Sequence, residues 1–126
     1  MGIDEYTTSG KERTMSTREG EVKKMTRAML EELGMISASK AIEATANNTG
    51  WFFMPVSNGM GVTGIPDFLG EYKGRFFAIE TKVPGKSPTA LQQAQLSALY
   101  ITGALEVVVH DLVDLTALRV RLLKGI

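Results

Sequence analysis

Asp67, Glu80 and Lys82 are the residues whose types and spacing suggest chemistry. Residues 75–83 read as a strand, and period-two geometry puts Glu80 and Lys82 on one face with Thr81 on the other. Phe76, Phe77, Ala78 and Ile79 make the middle of that strand apolar, so Glu80 follows directly on a run expected to be buried. Asp67 stands behind Ile65-Pro66 and ahead of Phe68-Leu69, in a second extended stretch, 65–71. Tyr72-Lys73-Gly74 between the two reads as a hairpin turn that brings the carboxylates together. Ionised carboxylates are rarely left unpaired in apolar surroundings, and a divalent hard cation is one effective partner. Such a site could polarise a phosphodiester and acidify a bound water. Taken singly, a strand Glu-x-Lys is commonly a solvated face and an Asp after Pro is commonly turn chemistry. The joint pattern carries more than either part.

The elements that must position this group follow from periodicity. Val22, Met25, Met29, Leu30 and Leu33 form one stripe of a helix over 17–33, capped by Ser16 or Thr17 and ended by Gly34. A shorter helix is expected over 38–46, then a strand over 51–56 and a loop over 57–64 with Gly59, Gly61 and Gly64. After Pro84-Gly85-Lys86-Ser87-Pro88 comes a helix over 89–102, stopped by Gly103. Residues 105–110 are almost wholly apolar, as in a strand buried on both faces, and 114–123 read as a closing helix. The order α-α-β-β-β-α-β-α implies an α/β fold, a central mixed sheet flanked by helices. Residues 1–16 read as a polar arm before one domain, 17–126.

Composition narrows the class. With 126 residues, 44% hydrophobic and 22% charged, the chain suits one globular domain. Having no cysteine, it has no disulfide framework, thiolate nucleophile or Cys-ligated zinc. Its single histidine, His110, excludes a His-based centre and reads as a structural strand-end residue. No apolar run approaches a membrane span, and the first residues carry no signal-peptide pattern, so a soluble cytoplasmic protein is the expectation. Fourteen Lys+Arg against fourteen Asp+Glu give no global attraction for nucleic acid.

Gly64-Ile65-Pro66-Asp67, Ile79-Glu80-Thr81-Lys82 and Gln92 resemble the signature of the PD-(D/E)XK nuclease superfamily, and more narrowly its VRR-NUC branch in the small stand-alone phage or bacterial form. The likeness spans roughly residues 17–110. It implies a restriction-endonuclease-like fold and a Mg²⁺- or Mn²⁺-dependent endonuclease hydrolysing DNA phosphodiesters, with a place in DNA repair or recombination. By that resemblance Asp67, Glu80, a helix-one glutamate and the backbone carbonyl of Thr81 hold the metal. Lys82 handles the attacking water and the developing charge, and Gln92 positions the lysine, the water or a phosphate. Helix geometry favours Glu21 over Glu19 for the helix-one ligand, because Glu21 shares a face with Met25 and Ala28. Thr81 departs from the family habit of an apolar residue between Glu and Lys. Stand-alone members are similar to Holliday-junction resolvases in forming homodimers, which implies branched DNA as substrate. The rivals are a monomeric flap or end nuclease and a catalytically silent DNA-binding module on the same fold.

Lys73, Arg75, Lys86 and Asn58 are candidate DNA contacts, although such basic residues are more often simply a solvated rim. Lys23, Lys24 and Arg27 share that ambiguity, and Trp51 is expected to pack against the first helix. Setting Glu21, Asp67 and Glu80 aside as ligands leaves 11 acids against 14 bases, so attraction for phosphate would be local, metal-assisted and salt-dependent.

Overall fold

The computed structural model describes residues 10–56 and 61–126, with side chains from Arg18 onward. Helix α1 (Gly10–Glu32) is followed by β1 (Met35–Ser37), a 3-10 segment (Ala38–Glu43), β2 (Gly50–Phe53), β3 (Phe68–Tyr72), β4 (Arg75–Thr81), α2 (Ala90–Ile101), β5 (Leu105–Val109) and α3 (Leu112–Lys124). One five-stranded sheet runs in the order β1-β2-β3-β4-β5. Its outer pairs, β1 with β2 and β4 with β5, are parallel, and the inner pairs are antiparallel. The mixed sheet flanked by helices is the expected α/β architecture.

The hydrophobic stripe of α1 lands where its period puts it. Val22, Met29, Leu30 and Leu33 are buried, with Met25 partly so. They pack with Leu115, Leu118 and Leu122 of α3 against Phe52, Phe68, Tyr72, Phe77, Ile79, Leu105 and Val109. Each of the larger of these side chains withholds enough apolar surface from water to be worth roughly 1.5–3 kcal/mol. Thr26 is fully buried in the same layer, and its hydroxyl donates to the Val22 carbonyl at 2.8 Å, which satisfies it inside the helix. The opposite face of the sheet is covered near β5 by α2, whose one buried side chain, Leu96, lies outside the main core.

Several boundaries differ from the sequence reading. Helix α1 begins at Gly10, so the part of the expected arm from that residue onward is helical. Where a second α-helix over 38–46 was expected, Met35–Ser37 pairs in parallel with Gly50–Phe52. A 3-10 segment follows it, capped by the Ser37 hydroxyl, which accepts from the Ser39 N–H. Pro55 lacks an N–H to donate, and β2 ends before it at Phe53. Pro66 likewise precedes β3, which leaves Asp67 just ahead of the strand rather than within it. Strand β5 has helices on both faces, α3 on one and α2 on the other, but it is an edge strand and its middle residues are only partly buried. The hairpin closes over two residues, Lys73 (φ 51°) and Gly74 (φ 86°), between the paired Tyr72 and Arg75. Two positive φ angles are what a type I′ turn needs to match strand twist.

Candidate active site at the end of the central hairpin

The pairing Phe68↔Ile79 places Asp67 and Glu80 side by side where β3 begins and β4 ends. Thr81 fixes the first of them. Its backbone N–H and its hydroxyl both donate to Asp67 Oδ2, at 2.9 and 2.6 Å. The hydroxyl bond is one that an apolar residue between Glu80 and Lys82 could not make. The other carboxylate oxygen, Oδ1, is left facing Lys23 Nζ of α1 at 3.7 Å.

Glu80 is only 2% exposed. Its Oε2 lies 3.7 Å from Lys82 Nζ, and its Oε1 is buried with no hydrogen-bond partner. Burial pushes its carboxyl up from 4.5 to about 7, and the charge of Asp67 adds to the rise. Lys82, a hydrogen bond from the Asp67 backbone and Lys23 oppose the shift without cancelling it. At 3.7 Å both lysines make charge contacts rather than hydrogen bonds. Two carboxylates side by side, one of them buried with an unpartnered oxygen, are thus only partly compensated by the two lysines.

The donor set suits a hard divalent cation: two carboxylates, with the Thr81 carbonyl available at the same strand end. The helix-one glutamates do not complete a cluster, since among the described residues no group of three or more His, Asp or Glu could hold a metal ion. Glu21 is exposed and lines a cleft of about 440 Å³ with Arg18, Met25, Pro84 and His110. Glu19 lies one turn before Lys23, the α1 residue that does reach Asp67, and so shares its side of the helix. Magnesium commonly takes one or two carboxylates and completes its shell with water and phosphate, so this pair fits it.

The supporting segments are fixed by local chemistry. Thr89 and Gln92 form a capping box: the Gln92 N–H donates to Thr89 Oγ1, and the Thr89 N–H donates to Gln92 Oε1. That commits the Gln92 carbonyl oxygen to the cap and leaves its amide NH₂ free to donate. Gly64 has φ +87°, and a Cβ there would lie 2.6 Å from the Leu91 carbonyl oxygen. The first turn of α2 therefore presses on the segment leading to Asp67. After Lys82, whose N–H donates to the Val109 carbonyl at 3.0 Å, the chain is tied down at Lys86. His110 Nε2 donates to the Lys86 carbonyl at 2.8 Å, and its Nδ1 lies 2.9 Å from Asp114 Oδ2. Partial burial alone would raise the Asp114 carboxyl, but hydrogen bonds from the His110 backbone and ring outweigh it and hold the group below its ordinary value.

The remaining sequence candidates disperse. Lys86 is exposed on the loop after β4. Lys73 and Arg75 sit at the opposite end of β4 from Glu80, roughly 16 Å away at 3.3 Å per residue, in a cleft shared with Arg121 and Lys124. Asn58 lies outside the described residues. Trp51 faces away from α1, because its neighbour Phe52 takes the core side. Lys23 is the site residue that the sequence left ambiguous; its position beside buried Val22 was the available signal.

No family model matches the sequence, and no curated protein matches it. Among solved structures, the chain is similar to one described as a VRR_NUC domain, with a TM-score of 0.60 and 22% sequence identity, over 80% of this chain and 92% of that one. The fold of this chain is the VRR_NUC fold.

Proposed function

We propose that the chain is a VRR-NUC-type nuclease that hydrolyses DNA phosphodiesters with Mg²⁺ or Mn²⁺. The carrying observation is the buried Glu80, with Oε1 unpartnered, set against Asp67 and Lys82. Asp67 Oδ1, Glu80 and the Thr81 carbonyl would hold the ion, which when bound supplies Lewis-acid polarisation of the phosphate and a more acidic water. Thr81 holds Asp67 in place through Oδ2 and leaves Oδ1 turned to the site. Lys82, extending from the end of β4, positions the attacking water and offsets charge that develops on the phosphoryl oxygens. Lys23 balances the carboxylates in the free protein and offers a cation to the incoming phosphate. Gln92 can contribute only its NH₂, since its oxygen caps α2.

Branched DNA is the proposed substrate and a homodimer the proposed working form, so that two sites cut two strands symmetrically. The charge balance of 14 against 14 makes phosphate attraction local, and cleavage and binding should weaken steeply with salt. The test is cleavage of linear, flap and four-way-junction DNA with Mg²⁺ or Mn²⁺, beside Asp67→Ala and Lys82→Ala. A Lys82→Ala protein that cuts as fast as the natural one would sink the mechanism. Light scattering decides between the dimer and a monomeric flap or end nuclease.

A further inference from the structure

Three aromatic rings lie on the face of the sheet opposite α1 and α3. Because Phe52 and Phe77 point into the core, their neighbours Trp51, Phe53 and Phe76 point away from it, and they are 37%, 36% and 43% exposed. The register lays them across one surface. Trp51 pairs with Glu71, which pairs with Phe76; Phe53 pairs with Leu69, which pairs with Ala78. Trp51 and Phe53 have ring centroids 5.7 Å apart.

Ala78 is two residues from Glu80 along β4, so the same face that carries the rings carries the buried carboxylate. Two strand spacings and two residues of rise separate Phe53 from Glu80, roughly 12 Å in the plane of the sheet. A strand with the 3.4 Å rise of B-DNA covers that distance in about three to four nucleotides, and a more extended unpaired strand covers it in fewer.

We propose that this face is a stacking surface for unpaired nucleotides of the DNA strand being cut, an assignment that rests on the nuclease reading. Bases inside a duplex have both π-faces occupied by neighbours, whereas unpaired bases can be laid on exposed aromatic rings of an open sheet. The patch has the size for this. Aromatic side chains bury 150–250 Å² each when covered, so these partial exposures sum to on the order of 250 Å². A stable protein interface takes about 800 Å² per partner. Glu71, the acid between Trp51 and Phe76, is drawn toward the hairpin turn, where its Oε1 accepts from the Gly74 N–H at 2.8 Å. Its charge keeps phosphates at the rim and bases toward the rings.

The substrate class that follows is branched DNA with an unpaired stretch beginning within about four nucleotides of the cut. Trp51 is the chain's single tryptophan, so its fluorescence reads this face directly. In metal-free buffer with chelator, where no cleavage occurs, a short oligothymidylate should quench that fluorescence and a blunt duplex should not. Labelled flap DNA should bind Trp51→Ala and Phe76→Ala each roughly 5-fold or more weakly, the loss expected for one stacked base. Trp51→Phe should restore most of the affinity, and blunt-duplex affinity should be unchanged in all three variants. Equal losses for flap and duplex, or no quenching, would overturn the proposal. So would a dimer that Trp51→Ala dissociates, since the face would then be covered by a second copy. The two readings fail separately. Metal-dependent cleavage abolished by Asp67→Ala but indifferent to Trp51→Ala removes the stacking surface alone. Quenching without any cleavage supports the surface and removes the nuclease.

Discussion

Strand β4 carries charge at both ends, and the two ends treat it in opposite ways. At its start, Arg75 joins Lys73, Arg121 and Lys124 around a cleft with no acid in its lining, and these cations keep access to water. At its finish, Glu80 is buried, its carboxyl raised to about 7 and one oxygen unpartnered. Exposed like charges cost little because solvent screens them, whereas a buried, half-satisfied carboxylate costs stability that Lys82 and Lys23 return only in part. Strain of that kind within a seven-residue strand singles out this end of β4 as the candidate site, and the hairpin end reads as a rim.

The contrast is broken most directly by Lys82→Ala and Asp67→Ala. Either should lower cleavage by about 10²–10⁴-fold, the range for a positioned acid–base group or charge stabiliser, while Arg75→Ala should change it only a few-fold. Comparable losses at the two ends would erase the distinction. Next comes Glu80→Gln. A carboxyl whose folded value is raised contributes its stability at low pH and loses it as pH climbs, here from about 4.5 to about 7. Metal-free Glu80→Gln should therefore exceed the natural protein in urea stability at pH 8 by up to about 3 kcal/mol, and the gain should vanish near pH 4. Added Mg²⁺ should raise the melting temperature of the natural protein and leave that of the variant unmoved.

Smaller effects test the supports. Gly64→Ala forces a Cβ toward the Leu91 carbonyl at a positive φ and should cost about 1–3 kcal/mol in thermal or urea unfolding. Thr81→Val keeps the backbone bond to Asp67 but removes the hydroxyl, for a loss of about 1–2 kcal/mol and a several-fold drop in turnover. Smallest of all, Lys73→Asn relieves a bulky residue from left-handed backbone and should stabilise by up to about 1 kcal/mol without changing cleavage.

The legible parts of the molecule are those where local pattern and tertiary outcome coincide. The α1 stripe, the capping box at Thr89 and the apolar run ahead of Glu80 each state their structure in neighbouring residues. Met35–Ser37 is too short for a period, and only its pairing with β2 makes it a strand. The alternation around Phe52 shows that Trp51 and Phe53 share a face, yet which face meets α1 depends on the register of the whole sheet. Periodicity sets Glu21 beside the apolar stripe, and the structure leaves it exposed on a cleft with Met25 and His110, while the reach toward Asp67 belongs to Lys23. The two hydrogen bonds that Thr81 donates to Asp67 span fourteen residues and have no local signature.

Strand order in space equals strand order along the chain. No strand has to be threaded between two that are already paired, so the sheet can grow outward from the β3–β4 hairpin by accretion at its edges. A two-residue turn closes that hairpin with little loop entropy, while the parallel additions of β1 and β5 require longer closures. Asp67 and Thr81 flank the hairpin, so their contact belongs to the earliest piece of structure, and amide protection in refolding should appear there before it appears at either edge. In that order of growth the two carboxylates meet before the edge strands of the sheet are added.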